Sequence, residues 1–145
     1  MPKIYLSPST QENNLYVTGG SEEYYMNLVA DALEPYLRAS GIRFTRNRPE
    51  MTAGQVIRES NAGNYNLHLA LHSNAAPEAL SGQLQGPDVY HAPGSVLGAR
   101  AARIIADNLK AIYPDPNLVH VRSSAAIAEV QRTKAPSVLI EFAYH

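Results

Sequence analysis

The sequence predicts an α/β fold: a single layered domain with a mainly parallel central sheet flanked by helices. Three observations carry this expectation. Short apolar runs alternate several times with stretches of helical periodicity, and the connections between them are short. The run Asn66-Leu67-His68-Leu69-Ala70-Leu71-His72 is mostly apolar and reads as a buried strand. The length, 145 residues, suits one domain and leaves little room for two.

The elements follow in order. Ile4 to Leu6 is a short apolar strand stopped by Ser7-Pro8-Ser9, and residues 9–21 form a polar loop containing Gly19-Gly20. Ser21 stands where a helix N-cap belongs. Apolar or aromatic residues at 25, 28, 29, 32, 33, 36 and 37 then match one face of a helix. Pro35 predicts a kink or break in its last turn, and Gly41 a C′ glycine. Ile42 to Thr45 reads as a second strand and Thr52 to Asn61 as a modest helix. After the buried strand, Pro77 to Gly86 is a polar loop and Val89-Tyr90 a short strand. Ser95 caps a helix to about Ile112, with Val96, Ala99, Ile104, Ile105 and Leu109 facing inward. Leu118 to Val121 reads as strand, Ser124 to Gln131 as a short helix and Ser137 to Phe142 as the last strand.

Composition narrows the classes. Apolar residues make up 45% and charged residues 17%, which argues against a disordered chain. A net charge of −1 gives no electrostatic reason to expect nucleic acid as a partner. With no cysteine there are no disulfides, thiolate metal sites or cysteine nucleophiles. No apolar run approaches the 18 or so residues of a membrane span. The opening residues read as a strand and not as a signal peptide.

In parallel α/β sheets the ligand site lies beyond the carboxyl ends of the strands, and this rule selects the polar residues that matter. His72 ends its strand and is followed by Ser73-Asn74; taken alone it fits a functional and a structural role equally. His68 lies four residues upstream on the same face. Four strand residues span roughly 13 Å, too far for both histidines to share one metal ion. His68 therefore reads as a core histidine with a hydrogen-bond partner. Glu141 follows Val138-Leu139-Ile140 at the end of the last strand, where a carboxylate is costly to bury unless paired or metal-bound.

Glu22 and Glu23 open the first long helix, where acids favour the positive end of the helix dipole without needing a function. Glu22 lies three residues before Tyr25 and seven before Val29, so the periodicity favours it over Glu23 as the inward carboxylate. His91 follows a short strand, in what looks like a loop, and could line the cleft. His120 sits in a connection, and His145 ends the chain. The sequence contains no Gly-x-Ser-x-Gly elbow, no phosphate-binding Gly-x-x-x-x-Gly-Lys-Ser/Thr loop and no Gly-x-Gly-x-x-Gly fingerprint. Arg43, Arg46 and Arg48, flanked by Glu50, read as a solvated surface.

A helix-opening Glu, then "LHLALHSNAA" (67–76), then "PSVLIEFAY" (136–144) resembles the zinc-dependent N-acetylmuramoyl-L-alanine amidases of the Amidase_3 family. "IYLSP" (4–8) and "GIRFTR" (41–46) extend the likeness over nearly the whole chain. The resemblance implies an amidase-like catalytic domain over 1–145 that acts on peptidoglycan in the cell wall. The amide cut would join N-acetylmuramic acid to L-alanine. One Zn2+ per chain would be held by His72 and Glu22, with Glu141 as catalytic carboxylate. Counting back from Gly41 selects Glu22; anchoring on Asn27-Leu28 selects Glu23. Nucleic acid and membrane are not expected as partners, and the chain is expected to be a monomer. It would stay cytoplasmic until release or be exported by other means.

The chain departs from the family pattern in two places. The family's first metal histidine falls at Thr10 here, beside Gln11, and threonine is a poor zinc ligand. Gln11 is the candidate third ligand, with Asn13, Asn14, His91 and His145 as alternatives. Family members also continue from the last strand through an Asn-rich turn into a final helix, whereas this chain ends at His145. A second expectation is therefore a catalytically inactive or impaired peptidoglycan-binding module of the same fold. A third is an unrelated α/β enzyme or interaction domain.

Overall fold

In the computed structural model the described residues are 1–16, 19–74 and 86–144. Most of the polar loop at 77–86 and the terminal His145 lie outside them. The chain runs β1 (Lys3–Pro8), α1 (Glu22–Ala39), β2 (Arg43–Arg46), α2 (Ala53–Ala62), β3 (Leu67–Asn74), β4 (Asp88–His91), α3 (Val96–Lys110), β5 (His120–Ser123), α4 (Ala128–Gln131) and β6 (Ser137–Tyr144). The described strands form one sheet in the order β2-β1-β3-β6-β4-β5. Every pairing is parallel except β4 with β6, which is antiparallel. Among the described residues no helix is long and apolar enough to cross a membrane.

Alternation along the strands sorts the core into two layers. Ile4, Leu6, Leu69, Leu71, Val138 and Ile140 point to one face and pack against Met26 and Ala30 of α1 and Ala102 and Ala106 of α3. The opposite face carries Tyr5, which packs with Met51 and Val56, and Ala70 and Leu139, which pack with Val130 of α4. His72 stands directly across from Glu141 in the register, as His68 does from Ser137, so these polar residues share the second face.

The helix ends follow their capping residues. Ser21 accepts a bond from the Tyr24 N–H and opens α1. At the other end Gly41, at φ 71°, makes a Schellman closure: its N–H bonds Arg38 O and the Ile42 N–H bonds Leu37 O. Thr52 and Gln55 form a reciprocal capping box on α2.

Several expectations need correction. α1 continues through Pro35 to Ala39 without a break. Pro35 is exposed, so the Asp31 carbonyl, deprived of its helical partner, faces solvent. The buried stripe of α1 runs through Glu22, Met26, Ala30 and Leu37, while Leu28 and Tyr36 are exposed. On α3 the expected Ile105 and Leu109 do pack, half-buried, against the core, but the fully buried residues are Gly98, Ala102 and Ala106, and Val96 and Ile104 are 79% and 54% exposed. Small side chains let α3 lie close to the sheet. A Cβ on Gly98 would come within 2.7 Å of Ser95 Oγ and 3.3 Å of Ser137 O. Residues 116–118 form a 3-10 turn, which displaces the expected strand at Leu118 to β5. Arg46 is not simply solvated: its guanidinium reaches Asp31 at 2.7 Å and Glu34 at 2.6 Å, fastening β2 to α1.

Candidate active site

Four strands and one helix meet at one rim of the sheet. The chain leaving β1 delivers Ser9, the carboxyl half of β3 delivers His72 and Ser73, and β6 delivers Glu141. Because β4 runs antiparallel to β6, its first residue, Asp88, comes to the same rim opposite Glu141. The amino end of α1 adds Glu22, leading the buried Met26–Ala30 stripe.

Glu22 is 1% exposed. One carboxylate oxygen accepts the Ser73 N–H at 2.8 Å; the other accepts the Ser9 hydroxyl and lies 3.6 Å from His72 Nδ1. Burial alone would raise this carboxyl, but the bonds and charge attraction from His72, with Ser9 and Ser73, hold it below its ordinary value. Glu23 lies on the flank, its carbonyl accepting the Asn27 side chain. Of the two helix glutamates, Glu22 is the one at the rim.

The sequence did not single out Glu129, on α4. Its Oε1 lies 3.1 Å from His72 Nε2, and its Oε2 lies 2.8 Å from His68 Nε2 and accepts the Ser7 hydroxyl at 2.7 Å. Burial opposes its ionisation, yet the bonds from His68 and His72 hold the carboxyl well below the usual range. The two histidines are thus joined by one carboxylate. His68 is fully buried, bonded to Ser60 Oγ at 2.9 Å and stacked on Tyr5, as befits a satisfied core histidine. Burial would lower His72, but hydrogen bonds and charge attraction from Glu129 and Glu22 push it up to about 10.

Glu141 is different in kind. Its Oε2 is buried without a hydrogen-bond partner, the one such side-chain atom among the described residues. Burial pushes its carboxyl up to about 7; His72 works against this, and the negative charges of Glu22 and Asp88 add to it. A buried carboxyl near neutrality can both accept and return a proton. Asp88 is itself engaged by Arg122 at 3.0 Å and lies 3.6 Å from His120.

The donor set suits a metal ion in part. Two zinc ligands on a tetrahedral ion, each at about 2.1 Å, stand about 3.4 Å apart, and Glu22 Oε2 and His72 Nδ1 are 3.6 Å apart. The other nitrogen of His72 meets a carboxylate, the usual outer partner of a metal-bound histidine. Among the described residues, however, no group of three or more His, Cys, Asp or Glu is gathered to hold a metal. The backbone N–H of the candidate third ligand Gln11 donates to the Ser9 hydroxyl oxygen at 3.2 Å, and its side chain is exposed. With Thr10, Glu12, Asn13 and Asn14 it lines an open cleft of about 690 Å3, closed on the far side by residues 49–52. His91, a possible alternative ligand, lies away from the site: it pairs with Val138, at the opposite end of the β4–β6 pair from Glu141, and its Nδ1 lies 2.9 Å from Ala92 O.

No protein-family model and no curated protein matches this chain. Solved structures do. An N-acetylmuramoyl-L-alanine amidase from Clostridium difficile 630 superposes with a TM-score of 0.85 at 12% identity, over 99% of this chain and 80% of that one. The amidase AmiC2 of Nostoc punctiforme gives 0.80 at 13%, over 99% and 79%. The catalytic domain of the CD27L endolysin targeting Clostridia difficile gives 0.77 at 19%, over 99% and 82%. The fold of this chain is therefore that of the N-acetylmuramoyl-L-alanine amidase structures it superposes on.

Proposed function

We propose that the chain hydrolyses the amide between N-acetylmuramic acid and L-alanine in peptidoglycan, as a cell-wall lytic amidase using one Zn2+. The observation that carries the reading is the buried, unpartnered Oε2 of Glu141, directly across the strand pair from a histidine that bonds Glu129 and lies 3.6 Å from Glu22. Glu22 and His72 would hold the ion, with the Gln11 side chain as third donor from the loop after β1. Bound there, zinc supplies an activated water and polarises the scissile carbonyl. Glu141 takes the proton of the attacking water at Oε2 and returns it to the departing alanine nitrogen. Ser9 and the Ser73 N–H keep the Glu22 carboxylate turned to the rim. The cleft along residues 10–14 and 49–52 lies beside the site and offers amide and carboxylate groups to a glycan or peptide.

Glu141→Gln keeps the shape of the side chain and removes the base. Release of alanine amino groups from purified cell walls should fall about 10²- to 10⁴-fold, the span attributed to general acid–base catalysis. The melting temperature should hold. Retained release in this variant removes Glu141 from the mechanism. The absence, among the described residues, of a gathered three-ligand group favours a second reading, a peptidoglycan-binding module without catalysis. That reading predicts cosedimentation with walls and no amine release at any zinc concentration.

A further inference from the structure

We propose that the face formed by α1 and α3 is an interface between two copies of this chain, which pair through it about a two-fold axis. The face consists of two uncharged stripes with a groove between them. On α1 the stripe is Tyr25, Leu28, Val29, Ala32, Leu33 and Tyr36, spaced as one side of a helix. On α3 it is Leu97, Ala101, Ile104, Ile105 and Asn108, with the same spacing. Such periodicity marks a helix side to be buried, yet each stripe is only half used. Val29, Leu33 and Ile105 pack against the core, whereas Leu28, Tyr36, Leu97 and Ile104 are exposed, Tyr36 by 74%. Between the stripes lies a groove of about 380 Å3, floored by Leu69, Leu71, Ile140 and Phe142 of the sheet. A contiguous apolar surface of this kind marks an interaction site.

Charge and size select a second copy as the occupant. A two-fold contact sets a patch against itself, so a net charge on the patch would repel its own copy. No charged residue lines the groove or belongs to either stripe. The charges of the two helices are gathered elsewhere. Asp31 and Glu34 turn to Arg46 of β2, and Arg38 turns to Glu34. Arg100, Arg103, Asp107 and Lys110 form a separate line on α3. A lipid surface would favour Lys and Arg along both borders of the face, whereas α1 brings carboxylates. The helices are roughly 22–27 Å long, and two helix widths with the groove between them give a face of roughly 600 Å2. Two copies would bury roughly 1,200 Å2, the lower limit for a specific pair. The relief fits itself, since the ridge of Leu28, Ala32 and Tyr36 on one copy meets the groove of the other. The candidate site stays open, because His72 and Glu141 stand on the opposite face of the sheet. This pairing replaces the monomer expected from the sequence and is independent of the chemistry at the rim.

Sedimentation equilibrium over a concentration series tests it. The wild-type protein should convert from the 15.8 kDa chain to a species of twice that mass, with a dissociation constant in the micromolar range. Added salt should leave the constant nearly unchanged, because an apolar contact is not screened. Leu28→Glu and Ile104→Glu each place a charge in the contact and should weaken pairing about tenfold or more. Asp107→Asn, on the far side of α3, should pair like wild type. Both glutamate variants should keep the urea midpoint of the dilute wild-type protein, since the sites are exposed in the single chain. A second measurement needs no variant. In NMR spectra a soluble paramagnetic probe should broaden the Leu28, Tyr36 and Ile104 side-chain signals in dilute protein and spare them in concentrated protein. A wild-type chain that stays single up to about 1 mM overturns the proposal. So does a pair that both glutamate variants leave intact, or probe broadening that ignores concentration. A single chain that instead cosediments with vesicles of anionic phospholipid makes a membrane the occupant and equally overturns it.

Discussion

Tyr5 and Glu59 show how a single buried proton tunes stability. The Tyr5 hydroxyl donates to Glu59 at 2.8 Å from a fully buried ring. Burial first, and then the Glu59 carboxylate, push its ionisation far above the ordinary value. The unfolded chain releases this proton near pH 10. A raised folded value means that the stabilisation is fully present below about pH 10 and is lost as pH climbs beyond it. The wild-type urea midpoint should therefore fall more steeply from about pH 9 to 11 than that of Tyr5→Phe, which has no proton to lose. Near neutrality the same variant should be weaker by about 1 kcal/mol, the worth of the lost hydrogen bond. Equal alkaline slopes for the two proteins would contradict this account.

At the same scale, Glu22, His72 and Glu141 were legible in the sequence because each sits at a position a rule could reach: a helix start or a strand end. Glu22 was reached by an imperfect route. The fully buried residues that follow it on the helix are Met26 and Ala30, with Tyr25 and Val29 half-buried against the same core. Glu129 was not legible. It belongs to a four-residue helix with no side-chain cap bond, and its meaning lies in two histidines about 60 residues away. Nothing in the local pattern of 124–131 distinguishes it from a surface acid.

Elements were read better for existence than for orientation. Of the large apolar residues that suggested the inward face of α3, Ile105 and Leu109 flank it and Val96 and Ile104 are exposed; Gly98, Ala102 and Ala106 take its centre because the helix approaches β4, β5 and β6 closely. Periodicity reports where apolar residues recur, whereas the packing distance decides which recurrence wins. Ala102 is fully buried in the main cluster. Ala102→Leu should cost about 1–3 kcal/mol by overpacking, against less than about 0.5 kcal/mol for Ile104→Ala on the exposed face. Chemical denaturation of the two variants checks the order. A reversed order would mean that α3 sits with its large residues inward.

For the molecule as a whole, alternation of strands and helices announced the sheet, but not the reversal of β4. That reversal brings Asp88 to the rim and so adds a second negative neighbour to Glu141. On the far face an apolar groove remains between α1 and α3, lined by Val29, Leu33, Tyr36, Leu71, Ile140 and Phe142.

The central pairing of β3 with β6 has a consequence for when the protein becomes competent. His72 and Glu141 are neighbours across that pair but about 70 residues apart along the chain. Closing so long a loop is entropically slow, and parallel pairings gain little until it is done. Helices α1 and α3 can gather early; the reaction centre cannot exist until the final strand has threaded between β3 and β4. In refolding from urea, far-ultraviolet ellipticity should return ahead of wall-lytic activity. Under the proposed amidase function, a chain whose β6 is not yet made is inert by geometry, needing no inhibitor to keep it so.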